Sequence, residues 1–316
     1  MMLRIGTRGS PLALVQARDV RRRLMAAHDL GEDQVKIVVI TTSGDRIQDR
    51  ALAQIGGKGL FTKEIEEALF ENRVDLAVHS MKDMETKLPD GLTIGAVLER
   101  EDVRDAFISL RHGSLDALPR GALVGTSSLR RRAQLKHLRP DVEVVEFRGN
   151  VDTRLRKLAD GVAEATFLAC AGLNRLGMAD RVTAAVPVAN MLPAVAQAAV
   201  AIEIRAGDER VAAALAALNH EPTALCVTAE RAFLARLDGS CRTPVAANAT
   251  LSAGCLHLTG EILMPDGSKA WRGERQGGAA EALKFAIDLA DELLAVAGPG
   301  YATAVAAAMM PPGGRG

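Results

Sequence analysis

Apolar positions in the first 98 residues alternate between two rhythms. The short runs Leu3–Ile5, Val35–Thr41 and Asp75–His79 read as strands. Between them, Pro11–Ala27 and Phe61–Glu71 carry the three-to-four-residue apolar spacing of amphipathic helices. Ser10 supplies an N-cap to the first helix, and Pro11 suits its first position. Strands alternating with helices predict a parallel sheet. The stretch Ser43–Gly59 breaks the rhythm with Gly44, Gly56, Gly57 and Gly59, which predicts a mobile lid.

A second α/β pattern starts near Asp105. Ala106–Leu110, Leu123–Gly125, Val142–Glu146 and Ala165–Ala169 read as strands, and Ser128–His137, Val151–Ala159 and Gly172–Leu176 as helices. The Ala-rich segment Val195–Ala206 follows Pro193 and predicts a helix that returns the chain to the first unit. After Asn219 the order changes. A helix over Glu221–Leu237 precedes strands Val245–Leu251, Leu256–Met264 and Lys269–Arg275, and a helix over Ala279–Ala295 closes the set. Pro265–Asp266–Gly267 is hairpin chemistry. The expected division is an α/β domain over 1–98 and 195–218, a second over 104–192, an α+β domain with an antiparallel sheet over 219–297, and a frayed tail over 298–316.

Composition removes several classes of function. Lys+Arg and Asp+Glu are 39 each in 316 residues, so a uniformly basic nucleic-acid binder is excluded. Only 3% of residues are aromatic, with one Trp and one Tyr, which leaves no base-stacking platform. No apolar run approaches the ~20 residues of a membrane span, and MMLRIGTRGSPLAL lacks a secretory core. Cys170, Cys226, Cys241 and Cys255 form no C-x-x-C pair, so neither a disulfide framework nor a metal site is expected. A cytoplasmic, monomeric protein is the expectation.

Against this neutral background, Val124–Lys157 holds nine Arg or Lys and four acids. The basic residues gather at SSLRRR and RGNVDTR, both at strand-to-helix turns, where backbone N–H groups also favour an anion. Thr126 and Ser128 can cap the first helix. Consecutive helical residues point ~100° apart, so at most two of Arg130, Arg131 and Arg132 face one ligand. Gly149 permits close approach at the second turn, Asn150 can cap, and Arg148 and Arg154 bracket it. Arg rather than Lys suits carboxylates or phosphates, which its planar fork binds in pairs. Arg130, Arg131, Arg148 and Arg154 are expected to line a cleft, and Arg132, Lys136, Arg139, Arg156 and Lys157 to be surface charge.

Three further clusters carry chemistry. VHSMKD gathers His79, Ser80, Lys82 and Asp83 at a strand end. A carboxylate there can stabilise a developing cation or move a proton, although the same residues also fit an ordinary turn with a hydrogen-bonded core histidine. TRGSPLAL places Arg8 and Ser10 at another strand-to-helix turn, and GGKGLF puts Lys58 in the glycine-rich stretch without the spacing of a Walker loop. LDGSCRTPVAA surrounds Cys241 with small residues and Arg242, a setting that favours thiolate.

Together TRGSPLAL, GGKGLFTKEIE, DLAVHSMKD, RDAF, VGTSSLRRRAQL, RGNVDTRL, AGLNRLG, TAERAFL and the Cys241 loop resemble the porphobilinogen deaminase family, over about Leu3 to Leu294. The resemblance implies two lobes like type II periplasmic binding proteins and a small third domain. It implies a transferase that joins four porphobilinogen units on a dipyrromethane primer, held by a thioether to Cys241, with loss of ammonia at each addition. The product is hydroxymethylbilane, and Asp83 matches the catalytic acid. Arg8, Arg130, Arg131, Arg148, Arg154 and Arg175 match positions that hold pyrrole acetates and propionates. Ser10, Lys82, Thr126, Ser128, Gly149 and Asn150 match other contacts, and Lys58, Ser80 and Gln197 complete the expected binding set. The chain departs from the family's Gly-Gln-Gly, having Ala196 and Ala198 around Gln197, and has Met84-Glu85 where the family places a proline. If the backbone there needs positive φ, the two methyl groups imply a shifted helix start or slower turnover. Two other readings use the same residues: a noncatalytic anion-binding protein, which has no use for Cys241, and a homologue that holds primer but turns over poorly.

Overall fold

The computed structural model describes residues 2–46, 59–239 and 243–309. In chain order the elements are β1 (Leu3–Thr7), α1 (Pro11–His28), β2 (Val35–Val39), α2 (Ser43–Arg46), α3 (Lys63–Phe70), β3 (Leu76–Ser80) and β4 (Leu92–Val97). There follow β5 (Asp105–Ser109), β6 (Leu123–Gly125), α4 (Leu129–Leu138), β7 (Glu143–Val145), α5 (Val151–Ala159), β8 (Ala165–Ala169), α6 (Cys170–Arg175) and β9 (Ala184–Ala185). The last third holds β10 (Val200–Arg205), α7 (Glu209–Leu215), α8 (Glu221–Arg236), β11 (Val245–Ser252), β12 (Cys255–Leu263), β13 (Ala270–Gly278), α9 (Ala282–Ala297) and α10 (Pro299–Met309).

The described residues divide into two compact units. The first takes 2–46, 59–101 and 197–225, and the second takes 102–196, 226–239 and 243–309. The first is built on a five-stranded sheet in the order β2-β1-β3-β10-β4. β1, β2 and β3 run parallel, as the alternating pattern predicts, while β10 is antiparallel to both β3 and β4. Ser10 caps α1 by accepting the Ala13 N–H, and α1 buries Val20 and Leu24 in a core with Leu3, Ile5 and Leu76.

β10 corrects the expectation of a helix over Val195–Ala206. The segment carries the alanines that favour helix, yet Val200, Ile202 and Ile204 enter the first unit's core from a central strand. Burying each such side chain contributes ~1.5–3 kcal/mol, more than the few tenths by which alanine prefers a helix. β4, which pairs with this strand, and α7, which follows it in the chain, are further elements that the apolar pattern did not predict.

The second unit contains another five-stranded sheet, β7-β6-β8-β5-β9, and the antiparallel β11-β12-β13 sheet of the C-terminal region. β6, β7 and β8 are parallel, and β5 is antiparallel to β8. Phe107 and Phe167 meet edge to face inside, with ring centroids 5.9 Å apart. The C-terminal sheet joins the larger one through specific bonds: Ala247 N–H donates to Pro193 O, and Arg272 donates to the carbonyls of Val188 and Ala189. Residues 299–309 correct the expectation of a frayed tail, because they form α10. Tyr301 is buried there against Trp271, and burial pushes its hydroxyl up to about 12.

Candidate active site

In the first unit, three chain segments bring the predicted residues together. The turn after β1 carries Arg8 and Ser10, the end of β3 carries His79 and Ser80, and a 3-10 turn over Met81–Asp83 follows directly. Arg8, Ser10, Gln16, Phe61, Thr62, His79, Ser80 and Asp83 are among the residues lining one pocket.

Ser10 is tied to capping α1, and Ser80 Oγ pairs with the Gln16 amide at 2.9 Å. The Arg8 guanidinium stacks on Phe61, 4.2 Å from the ring centroid, and donates to the Asp45 carboxylate. Burial pushes the Asp45 carboxyl up, but the hydrogen bond and charge of Arg8, with Thr42, hold it below the usual carboxylate range. Asp45 thus occupies the Arg8 fork. The motif reading missed it, although it lies at the start of the glycine-rich segment. Asp83 is half-buried and makes no hydrogen bond or ion pair among the described residues.

Lys82 Nζ lies 3.4 Å from Gln197 Oε1. Gln197 is fully buried, and its carbonyl accepts from Arg100 Nε at 2.9 Å. It flanks Lys82 as a buried support. Ala196 and Ala198 on either side adopt φ 57° and 74°. The backbone therefore keeps the left-handed geometry that favours glycine, at a cost of ~1–2 kcal/mol per alanine. No helix begins there, so the shifted-helix expectation is set aside. The Ala196 N–H donates to the buried Glu230 at 2.7 Å, and the other Glu230 oxygen accepts from Ala249 N–H at 2.7 Å. Those two bonds are one means of holding the strained backbone, and Glu230 was visible in sequence only as a letter of TAERAFL.

The second unit holds the two basic turns. At the first, Thr126 Oγ1 accepts the Ser128 N–H and Ser128 caps α4. Arg132 is exposed, in keeping with the 100° rotation between residues. Arg130 and Arg131 both turn inward, each 2.8 Å from an oxygen of the fully buried Asp105. Arg130 also donates to Gln134 and Leu192 O, and Arg131 to Phe167 O. Burial pulls the Arg130 guanidinium below its ordinary value despite Asp105. These side chains are interior, which departs from the expectation that both stand open to a ligand. Asp105 is the residue that sequence reasoning missed, and its RDAF motif was the available signal.

At the second turn, Gly149 has φ 122°, and a Cβ there would come within 2.5 Å of Thr153. Asn150 caps α5 by accepting the Thr153 N–H at 2.9 Å. Arg154 Nε donates to Gly149 O, and Lys157 Nζ to Arg148 O. Arg148 Nη1 is buried without a hydrogen-bond partner among the described residues. Burial, and then the charge of Arg131, pulls Arg154 down to about 10, with Arg148 adding to the effect and Glu146 opposing it. An orphan donor beside mutually repelling guanidiniums is a site that stabilises an anion. Arg175 closes α6 and is half-buried. Arg139, expected as surface charge, instead donates to the carbonyls of Leu115 and Leu118 and holds that loop. Lys58 and Cys241 lie outside the described residues. Among the described residues, no group of His, Cys, Asp or Glu has the arrangement of a metal site.

These features define an α/β protein with arginine-rich strand-to-helix turns, extended by a small antiparallel sheet. The family model "Porphobilinogen deaminase, dipyromethane cofactor binding domain" matches residues 3–213, and "Porphobilinogen deaminase, C-terminal domain" matches 224–295. A porphobilinogen deaminase from Paracoccus denitrificans is 60% identical over 291 residues, covering 92% of this chain and 93% of the relative. One from Nitrobacter hamburgensis is 52% identical over 304 residues, 96% of each chain. The chain belongs to the porphobilinogen deaminase family. Among solved structures, a periplasmic substrate-binding protein from Coxiella burnetii is similar at 16% identity, with TM-score 0.43, over 73% of this chain and 97% of that one. The methionine-binding protein MetQ is similar at 12% identity with TM-score 0.42, over 73% and 90%.

Proposed function

We propose that this chain is a transferase that joins four porphobilinogen molecules head to tail into the linear tetrapyrrole hydroxymethylbilane, releasing ammonia at each addition. The observation that carries the chemistry is Asp83, a half-buried carboxylate without a partner among the described residues, in a pocket shared with Arg8. Family membership carries the choice of substrate.

Each pyrrole brings an acetate and a propionate, so the ligand grows by two carboxylates per addition. The second unit suits that load: Arg148 has a buried donor without a partner among the described residues, and Arg154 feels the charges of Arg131 and Arg148 against that of Glu146. An arriving carboxylate satisfies the first and relieves the second. Arg8 takes another carboxylate by exchanging it for Asp45, since both are carboxylates on the same fork. Arg130 and Arg131 contribute through Asp105, by fixing the helix whose N-terminus faces the turn.

The group implied by the family is a dipyrromethane joined by a thioether to Cys241. The orphan Arg148 donor and the crowded Arg154 fit a polycarboxylate of this kind. Arg148, Arg154, Gly149, Asn150, Thr126, Ser128 and Arg175 would hold it, and when bound it supplies the pyrrole end on which the chain grows. Asp83 stabilises the cation that forms as the substrate amine departs, and can exchange a proton with the pyrrole N–H.

Among the described residues, no helix is long and apolar enough to cross a membrane. A cytoplasmic monomer suits the chemistry, because the substrate and the growing chain are both water-soluble polyanions. The experiment is Asp83→Asn assayed by ammonia release from porphobilinogen. Turnover should fall by about 10²-fold or more, the range of a lost acid–base group, while the covalent primer remains visible by intact mass. Undiminished turnover removes Asp83 from this role.

A further inference from the structure

Glu203 is the most deeply enclosed charged residue that the roles above leave unused. It sits on the interior strand β10 with no exposed surface, and neither carboxylate oxygen makes a hydrogen bond among the described residues. Its ion-pair partner among the described residues is His79, whose Nε2 lies 3.1 Å from Glu203 Oε2. The register explains the meeting, since Ala201 pairs with His79 across β10 and β3, and Glu203 is two residues on, on the same face. His79 Nε2 is itself buried without another partner. A small rotation of ring or carboxylate lets each satisfy the other, and among the described residues neither has an alternative. Glu66 of α3 stands close enough that Glu203 helps to raise its carboxyl, after the larger effect of its own burial.

The pair is not sealed in the core. His79 lines the pocket that contains Asp83, Arg8 and Ser80. If the 3.1 Å approach closes into a hydrogen bond, the imidazole is fixed with its proton on Nε2 and a lone pair on Nδ1. A buried His–Glu pair contributes little net stability compared with apolar residues of the same size. Its position in the wall of a reaction pocket gives it a use that packing does not.

We propose that His79 is the pocket's proton acceptor and that Glu203 is its positioning residue, an inference that rests on the reading of this pocket as the condensation site. When a methylene carbon of one pyrrole bonds to the ring carbon of the next, that ring carbon must lose its hydrogen. The new C–C bond forms, the C–H bond breaks, its electron pair returns to the ring, and the proton passes to His79 Nδ1. The ammonia released in the same cycle takes that proton from His79 and leaves as ammonium. No other reactant is needed.

The test uses the full-length enzyme carrying its primer. His79→Gln should lower kcat by about 10- to 100-fold, within the range of a general base, while KM stays within about twofold and intact mass shows the primer in place. The second readout is the ¹⁵N spectrum of histidine-labelled protein, in which the His79 signals are assigned by their loss in His79→Gln. Wild type should show the Nε2–H tautomer, and Glu203→Gln should shift it toward Nδ1–H with a smaller loss of kcat. Wild-type kcat in His79→Gln, or an unchanged tautomer in Glu203→Gln, overturns the proposal. Should His79→Gln fail to fold, His79→Asn supplies both the assignment and the kcat comparison, and the spectrum of the isosteric Glu203→Gln is read against it. Asp83→Asn is assayed alongside: if it is fully active and His79→Gln is not, the Asp83 assignment falls and this one stands.

Discussion

The two basic turns of the second unit look alike in sequence and differ in what they do with charge. Each ends a strand, each is capped by a small polar residue, Ser128 or Asn150, and each carries at least two arginines. At the first, Arg130 and Arg131 are neutralised inside the protein by Asp105. At the second, Arg148 and Arg154 pair with no buried acid among the described residues; an unbonded buried donor is common to both turns, Arg130 Nε at the first and Arg148 Nη1 at the second. Arginine density therefore does not tell the two turns apart. The buried acid beside the first pair does, and that is a property of three-dimensional neighbours.

The comparison breaks most visibly if its buried acid is removed. Asp105→Ala leaves two guanidiniums inside the protein without their counter-charge. We expect a loss of about 3–5 kcal/mol, the cost of breaking a buried pair from one side, read from denaturant midpoints. A small change there would mean that Arg130 and Arg131 reach solvent or ligand after all. Arg148→Ala should behave in the opposite way. Stability should stay within about 0.5 kcal/mol, as for a substitution away from packed features. Accumulation of partly extended chains should change and KM for porphobilinogen should rise by about tenfold, the equivalent of ~1.4 kcal/mol of binding. Equal stability losses in the two variants would erase the distinction between the turns.

Much of this was legible in the chain. The Ser10, Ser128 and Asn150 caps lie where small polar residues precede helical periodicity, because capping is a local interaction. The outward direction of Arg132 followed from helix geometry alone. Asp105, Glu203 and Asp45 were not legible as partners, since each is joined to its arginine or histidine across a gap that only the fold closes. The gap is 26 residues for Asp105 and Arg131 and 37 for Arg8 and Asp45. β10 was misread for a related reason. Its alanines speak for helix locally, but its place between β3 and β4 is decided by distant strands. Ala196 and Ala198 show the same priority of context over local preference, because both hold positive φ without being glycine.

That strain supplies the smallest predicted effect. Ala198→Gly removes the left-handed penalty on an L-residue but adds chain entropy to the unfolded state. The balance should be a gain of about 0.5–1 kcal/mol, seen as a higher unfolding midpoint. Destabilisation would show that the alanine methyl packs well enough to outweigh its backbone cost, and would move the strain argument to Ala196 alone.

The central claim is that the cationic turns serve a polycarboxylate tethered to this chain. Intact mass of the purified protein, made in cells that produce porphobilinogen, tests it most directly. The account predicts a mass increase equal to one dipyrromethane, present in wild type and Arg148→Ala and absent in Cys241→Ser. An unmodified mass in wild type, or the same increase in Cys241→Ser, would contradict it.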